Sequence, residues 1–597
     1  MKNIILDFKD EKPEKTVMKI KNILHELNCV TREEWLCSVQ GIYSVHIVIE
    51  GTSICANGKG TTKALTLASG YGELIERLQS LINFRMSSVF NYYISEKKIC
   101  VCPDQIVRKS HILCEEEMKW LSSVANKKEI LDLDHKLMNF TGGQIIELVY
   151  NAYDSSDFIA IPYVLADLYY GSNGMAAGNS KEEAMVQGIS EIFERFVVKE
   201  IVGKRLKNDI SFADITGFLC KRYESISDII SECEKSGYKI HVIDLSYEYG
   251  LPVIATAFVN KIDMQYFINF GCHPVLEIAV TRSITELLQG RDIGSIVGMS
   301  KLESNINDIS IRKNRNSIFV NGVGVYPYII FNLKQKDANV IWTNKYDNNK
   351  EILSTYVQLI KNMGKEIYYR DMSFLGFPAY HIIIPGFSEI AEDIVEVNRF
   401  FDLSETAKII MDIHNINDDA ARKVIDLLNI ANPDSTTTVA DIIHLPIYEQ
   451  NQNPLSDITI DLLGMMLCAY VEDFANGIKY SRRYIKFLEE NGASKEIVKY
   501  YRTILAIFSM KQEGLSLDII KAILKVFLDQ DYIDEVLNDT QPEKIFTYFV
   551  KLKCTSLKCE KCELQEVCCH LAEMRLYHEL IQKSEKYYIE TRKRRDS

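Results

Sequence analysis

From the first residues to about position 395, short apolar runs with the two-residue period of strands alternate with longer segments whose apolar positions recur every three or four residues. YSVHIVIE, KIHVIDLS, LPVIATAFV, QYFINFG, EIYYRDM and AYHIIIP read as strands, and so does FIAIPYVLADLYY along its whole length. TTKALTLASGYGELIERLQSLI and KEEAMVQGISEIFERFVVKEIV read as amphipathic helices. So many strands imply at least one extended sheet in an α/β or α+β arrangement. Beyond about residue 400 the strand pattern fades, and SETAKIIMDIHN, DDAARKVIDLLNIA, TIDLLGMMLCAYVEDFANGIKYSRRYIKFLEENG, KEIVKYYRTILAIFSMKQEG and LSLDIIKAILKVFL all carry helical periodicity. The change of pattern divides the chain into an α+β domain, residues 1–398, and an all-helical domain, residues 399–597. Turns near NGAS and EGLS split the later helices into antiparallel pairs, which suggests a small tetratricopeptide-like stack; an ordinary helical bundle fits the same pattern.

Three helices of the first domain carry polar residues in single file within otherwise apolar surroundings. At roughly 100° per residue, Ser69, Glu73 and Glu76 fall within an arc of about 60°, with Arg77 at its edge. Glu183, Gln187, Glu191 and Glu194 span about 80° on the second, beside Arg195, and Arg282, Glu286 and Gln289 span about 60° on the third, EIAVTRSITELLQGR. A solvated helix face is the ordinary explanation of one such stripe. Here the stripes contain no Lys, and Leu65, Leu67, Leu74, Ile75 and Leu78 make the other sides of the first helix apolar. A helix apolar on most sides is buried, and buried carboxylates need cations or donors. Mg²⁺ with a polyphosphate would meet that need, because Mg²⁺ takes oxygen ligands in octahedral geometry completed by phosphates and water. Arg77, Arg195 or Arg282 would then neutralise phosphate oxygens. The loop SNGMAAGNS opens the second helix with small residues that let backbone N–H groups approach a phosphate, although Ser180 with Glu183 also reads as a capping box. The loop NGKGTT, residues 57–62, is not a Walker A motif, because the spaced preceding glycine is missing.

Composition narrows the setting. The chain has 597 residues, 47% of them hydrophobic, enough to bury large cores. Its 69 Lys+Arg against 82 Asp+Glu, a net charge of −13, oppose broad attraction to nucleic acid or anionic lipid. MKNIILDFKDEKPEK has no signal-peptide core and no apolar run reaches roughly 18 residues, so a cytoplasmic protein is expected. Fifteen cysteines then read as reduced thiols. Cys554, Cys559, Cys562 and Cys568, with Cys569 and His570 adjacent, are spaced so that one loop would supply several thiolates to Zn²⁺ or an iron–sulfur cluster; reduced cysteines in a helical tail are the plain alternative. His273 in GCHP reads as a satisfied loop histidine rather than a base, and the RKRR run at residues 592–595 as a solvated tail.

GKGTTKALTLASGYGELIERL, SNGMAAGNSKEEAMVQGISEIFERFV and FGCHPVLEIAVTRSITELLQGR resemble, in order, the three signature blocks of the YcaO family. The family pattern of a Ser ahead of Glu-x-x-Glu-Arg, a second Glu-x-x-Glu-Arg after an AAGN loop, and Arg-x-x-x-Glu-x-x-Gln is intact at Ser69 to Arg77, Asn179 to Arg195 and Arg282 to Gln289. The resemblance spans about residues 5–395 and implies a YcaO-type catalytic domain with extended sheets and ATP-binding helices. It implies ATP and Mg²⁺ held by the stripe residues and Ser180, with Lys9 and Thr16 of FKDEKPEKT near the nucleotide. Glu73, Glu76, Glu191, Glu194 and Glu286 become the metal ligands, and Glu76, Glu191 and Arg282 the catalytic residues.

The chemistry implied is phosphorylation of a backbone amide oxygen by ATP, which turns that oxygen into a leaving group while a nucleophile attacks the carbonyl carbon. The helical half resembles the tetratricopeptide-like C-terminus of stand-alone bacterial members, described as accessory factors for β-methylthiolation of the twelfth small-subunit ribosomal protein. That implies a peptide or protein substrate, a ribosomal protein and its methylthiotransferase as partners, and a homodimer. Two departures from azoline-forming members stand out: the chain ends ETRKRRDS without a proline-rich tail, and no room precedes the catalytic region for a leader-peptide-binding domain. Both favour the ribosome-linked reading over a thioamide- or azoline-forming peptide modifier. A non-catalytic, nucleotide-sensing adaptor is the alternative from outside the enzymes.

Overall fold

The computed structural model describes residues 8–36, 41–84, 105–108, 113, 121, 125–203, 206, 209–287, 299–306, 310–343, 345–391, 393–443, 454–542, 544–547, 549, 561–562 and 568–595. The strands are β1 (Thr31–Leu36), β2 (Tyr43–Ile49), β3 (Cys55–Gly60), β4 (Gln105–Arg108), β5 (Gln144–Ala152), β6 (Phe158–Pro162), β7 (Met175–Ala177) and β8 (Phe212–Asp214). They continue with β9 (Tyr238–Asp244), β10 (Val253–Asn260), β11 (Gln265–Cys272), β12 (Ser300–Lys301), β13 (Leu333–Gln335), β14 (Tyr368–Asp371) and β15 (Ala379–Ile383). Three sheets result: β1-β2-β3, then β12-β11-β10-β9-β8-β13, and β4-β5-β14-β15-β7 with β6 also on β5. Pairing is antiparallel except between β8 and β13. The architecture is a mixed α/β one, with more than one extended sheet.

The helices that place the polar stripes are α1 (Pro13–Glu26), α2 (Lys63–Ser80), α3 (Lys181–Gly203), α4 (Leu276–Leu287) and α5 (Ile311–Asn321). Each stripe helix rests on a different support. Tyr71, Leu74, Ile75 and Leu78 of α2 pack on Val45 and Ile47 of β2. Around α3, Ile189, Ile192, Phe193 and Val197 join a core with Val253, Ala255 and Ala257 of β10 and Ile382 of β15. The alternate β10 residues Ile254 and Phe258 pack instead with Leu276, Val280 and Ile284 of α4. The central strand is therefore buried on both faces, which is why LPVIATAFV shows a continuous apolar run.

Two sequence expectations need correction. FIAIPYVLADLYY is a strand only as far as Pro162; Tyr163–Tyr170 is helical, with Leu165, Ala166, Tyr169 and Tyr170 buried, and a continuous apolar run does not by itself separate strand from buried helix. NGKG is not loop but the end of β3, and the short strand β7 lies within SNGMAAGNS.

After β15 every described element is helical: α6 (Ile394–Ile410), α7 (Asp418–Ala431), α8 (Ile460–Tyr470), α9 (Phe474–Glu490), α10 (Lys495–Gln512), α11 (Leu517–Leu524), α12 (Gln530–Asp539) and α13 (His570–Arg595), besides short turns. Helices α6 to α10 pack in chain order, α6 on α7, α7 on α8, α8 on α9 and α9 on α10. Their lengths are irregular, 14, 11, 17 and 18 residues from α7 to α10, and together they form a sequential helical array. The last helix leaves this array. Leu576, Tyr577, Leu580 and Tyr588 of α13 join the core of α1, α2 and β2, Glu573 accepts from Ser53 N and Oγ at 2.7 and 2.6 Å, and the Tyr588 hydroxyl donates to the Asp371 carbonyl.

Candidate functional site

A cleft of about 730 Å³ lies where α2, α3 and α4 meet the N-terminal segment. It is lined by Ser69, Glu73, Glu76 and Arg77 from α2, by Glu183, Gln187, Glu191, Glu194 and Arg195 from α3, and by Arg282 and Glu286 from α4. Lys9 and Thr16 reach it from the N-terminal side. The structure thus brings together every stripe residue except Gln289, which lies outside the described residues. Ser180 is not among the lining residues. Its hydroxyl accepts from Glu183 N at 3.0 Å and donates to Asp10, so the side chain serves as a helix cap and a tie to the N-terminal segment.

Each stripe carboxylate has a cation. Arg77 Nη2 stands 3.5 Å from Glu73 and its Nε 3.9 Å from Glu76; Arg195 pairs with Glu191 at 2.7 Å; Arg282 lies 3.8 Å from Glu194 and donates to Gln187 Oε1 at 2.9 Å. Glu183 is taken up by the N-terminal segment, accepting from Lys9 Nζ and Asp10 N, both at 3.0 Å. Thr16 Oγ1 donates to Asn179 Oδ1 at 2.8 Å, and Asn179 Nδ2 donates to Glu183 in turn. Glu286 pairs with Lys59, a residue the stripe pattern does not reveal.

Burial and neighbours set the charges. Burial pushes the Glu76 carboxyl up to about 8, against the pull of Arg77 and with repulsion from Glu191 and Glu73 adding to the rise. Glu194 is also raised by burial, although Arg282, Lys59 and the Cys272 N–H, which donates to it at 2.7 Å, oppose the shift. For Glu183 burial is outweighed by Lys9, the Asp10 N–H and Asn179, which hold it below the usual carboxylate range. Burial, reinforced by Arg282, lowers the Lys59 ammonium to about 8. His273 also lines the cleft; burial, with Arg282 and Lys9 adding, holds it well below the ordinary histidine value, and its Nδ1 accepts from Val275 N at 3.1 Å, so it is a neutral, satisfied loop histidine.

Among the described residues no three His, Cys, Asp or Glu side chains stand close enough to hold a metal unaided. The donor set nonetheless suits Mg²⁺, which uses one or two carboxylates and completes its shell with phosphate oxygens and water: Glu73 and Glu76 stand on α2, Glu191 and Glu194 on α3 and Glu286 on α4, and all are oxygen donors. Donors for phosphate are present as well. A Cβ at Gly178 would lie 2.6 Å from Ala184 N, so the loop before α3 sits directly on the helix N-terminus. Asn269 Nδ2 is buried in the cleft wall without a hydrogen-bond partner. Asn269, Asn57 and Lys59 line the cleft from strands, where no periodic stripe marks them.

At the C-terminal cysteines, Cys554 and Cys559 lie outside the described residues, and Cys562, Cys568 and Cys569 form no disulfide with one another or with any other described residue. No Zn²⁺ or cluster site is formed by the described residues.

These features define a mixed α/β protein in which acid-bearing helices rooted in different layers share one cleft. The chain belongs to the YcaO family: the family model described as YcaO cyclodehydratase, ATP- and Mg²⁺-binding, matches residues 57–388. The chain is 27% identical over 522 residues to the ribosomal protein S12 methylthiotransferase accessory factor YcaO of Escherichia coli, covering 85% of this chain and 87% of that protein. It is 28% identical to an uncharacterized protein of Haemophilus influenzae over 84% of this chain and 86% of that one. Among solved structures, YcaO from Methanopyrus kandleri bound with AMPPCP and Mg²⁺ is matched at 13% identity and a TM-score of 0.40, over 64% of this chain and 92% of that one. Among the described residues, no helix is long and apolar enough to cross a membrane.

Proposed function

We propose that this chain binds ATP with Mg²⁺ in the cleft and uses it to activate a backbone amide of a protein substrate, as an accessory factor in β-methylthiolation of a small-subunit ribosomal protein. One observation carries the reading: the acids of three separated stretches of chain line a single cleft, each already balanced by a cation. When bound, Mg²⁺ would offset the charge of the triphosphate and orient it. Glu73 and Glu76 on α2, Glu191 and Glu194 on α3, and Glu286 on α4 are the residues proposed to hold the metal. Arg77, Arg195 and Arg282, released from those acids, would face phosphate oxygens as the charge moves during transfer. Arg282 is held at the cleft by Gln187 and Glu194, both on α3.

The ribosomal part of the proposal is drawn from the relative from Escherichia coli, which aligns over most of both chains; we propose in addition that the chain works in the cytoplasm, with a methylthiotransferase as partner, and as a homodimer. Residues 1–398 are proposed as the catalytic domain and 399–597 as the domain that meets partners, with α13 returning to brace the former. Deleting the gene and comparing intact masses of the ribosomal proteins tests the assignment. Loss of one methylthio group from a small-subunit protein is expected, and an unchanged mass spectrum would refute it.

A further inference from the structure

Four of the six stripe glutamates pair with arginines and Glu183 pairs with Lys9, but Glu286 is met by Lys59, which arrives from a strand. Its backbone is fixed by close packing. A Cβ at Gly58 would press on the Thr66 carbonyl oxygen and come within 2.9 Å of Gly70 N, and one at Gly60 would lie 2.8 Å from Thr66 N. The end of β3 therefore lies directly on α2. Lys59 N–H faces Ser69 Oγ at 3.5 Å, and the side chain, 23% exposed, crosses the cleft to α4. Lys59 thus links β3 to α2 through its backbone N–H and to α4 through its ammonium, which lies within reach of the fields of Glu73, Glu191 and Glu194. Unlike an arginine fork, it is a compact point charge on a flexible stem, suited to changing partners.

We propose that Lys59 is the exchangeable counter-cation of this cleft: it competes with a divalent cation for Glu286 and is drawn away by the triphosphate, so that metal and nucleotide bind as a pair. The inference rests on the proposed Mg²⁺ and ATP reading of the site. A metal arriving alone must displace the ammonium and then sit close to it; a triphosphate arriving alone draws Lys59 away from Glu286 and leaves that carboxylate without its cation. When both arrive, the phosphates take Lys59 and the metal takes Glu286. Linkage makes the factor by which ATP tightens Mg²⁺ equal to the factor by which Mg²⁺ tightens ATP.

The test is calorimetry on the full chain with Mg²⁺ alone, ATP in EDTA, and the β,γ-methylene analogue of ATP with saturating Mg²⁺, comparing wild type with Lys59→Met, Lys59→Gln and Lys59→Arg. Removal of the charge is expected to tighten Mg²⁺ alone by about tenfold while weakening the metal–nucleotide complex, so that the coupling factor falls by about tenfold or more. Lys59→Arg keeps a cation and should keep most of the coupling. The two neutral variants provide independent folded backgrounds, checked by their melting temperatures. If a folded neutral variant shows unchanged affinity for Mg²⁺ alone and unchanged coupling, Lys59 is a structural strut and the inference falls. If the wild type binds no nucleotide at any Mg²⁺ concentration, the functional reading falls, while the Mg²⁺-only comparison still decides whether lysine and metal compete.

Discussion

Replacing Glu76 with Gln separates what this carboxyl does for the cleft from what it does to the fold. The side chain is 14% exposed, and burial raises its carboxyl from an ordinary 4.5 to about 8. The native chain therefore keeps a proton that the unfolded chain has released between these two values. The resulting stabilisation is fully present below about pH 4.5 and is lost as pH rises toward 8. At pH 7 the difference is about 2.5 units, or roughly 3 kcal/mol at about 1.4 kcal/mol per unit. Gln matches the protonated acid in shape and cannot ionise, so Glu76→Gln is expected to raise stability at pH 7 by about 2 kcal/mol after allowance for residual solvation, with the gain vanishing near pH 4.5. Binding of the metal–nucleotide complex should meanwhile weaken by about a hundredfold, because a neutral amide is a poor ligand for Mg²⁺. Urea denaturation at several pH values in metal-free buffer measures the first effect, and calorimetry with Mg²⁺ and ATP the second. A variant destabilised equally at every pH, or one binding the nucleotide within threefold of wild type, would refute the reasoning.

Burial alone would raise the Glu573 carboxyl, but hydrogen bonds from His570 and from Ser53 hold it at about 2, so the acid ties α13 to the β2–β3 turn. This stabilisation is present above about pH 4.5 and lost as pH falls toward 2; Glu573→Gln should lose roughly 2–3 kcal/mol at pH 7 and little near pH 2, as read by denaturant midpoints. Gly58→Ala places a methyl group against the backbone of α2 and should destabilise the chain by about 3 kcal/mol, with loss of ATP binding following the displacement of Lys59. If the C-terminal cysteines bind Zn²⁺ or an iron–sulfur cluster, anaerobically purified chain will contain about one equivalent of Zn or a multiple of Fe, and less than about half an equivalent of either would end that proposal.

The location of the cleft was legible because helical geometry is local. Ser69, Glu73 and Glu76 share a face whatever surrounds them, and a stripe of acids on an otherwise apolar helix requires a shared partner. The Arg77–Glu73 and Arg195–Glu191 pairs, both four residues apart, belong to the same local geometry. Strand residues left no comparable trace: Asn269 sits inside a nearly continuous apolar run on a strand buried along most of its length, so its period-2 position does not separate a cleft-facing amide from a packed one. The strand-like reading of FIAIPYVLADLYY failed for a related reason, since a run apolar on every side carries no phase.

Contacts across long sequence separations account for the rest. Lys9 meets Glu183 across 174 positions, Arg282 meets Gln187 across 95, and Glu573 meets Ser53 across 520. None of these pairs has a spacing that periodicity can register, yet they decide which acids remain available: Glu183 belongs to the same stripe as Glu191 and Glu194, but its hydrogen bonds are already spent on Lys9, Asp10 and Asn179. The stripe therefore contains two kinds of acid, one that fastens the N-terminal segment over the cleft and others whose cations, among the described residues, are arginines or a lysine that phosphate would attract. That division predicts opposite responses to added Mg²⁺ and ATP, since Glu183→Gln should loosen the N-terminal segment with or without ligand, whereas Glu191→Gln should leave the ligand-free melting temperature nearly unchanged and abolish its rise on adding both. Equal behaviour of the two variants in a thermal-shift assay would show that position on the helix, and not the partner supplied from elsewhere in the chain, determines what each acid does.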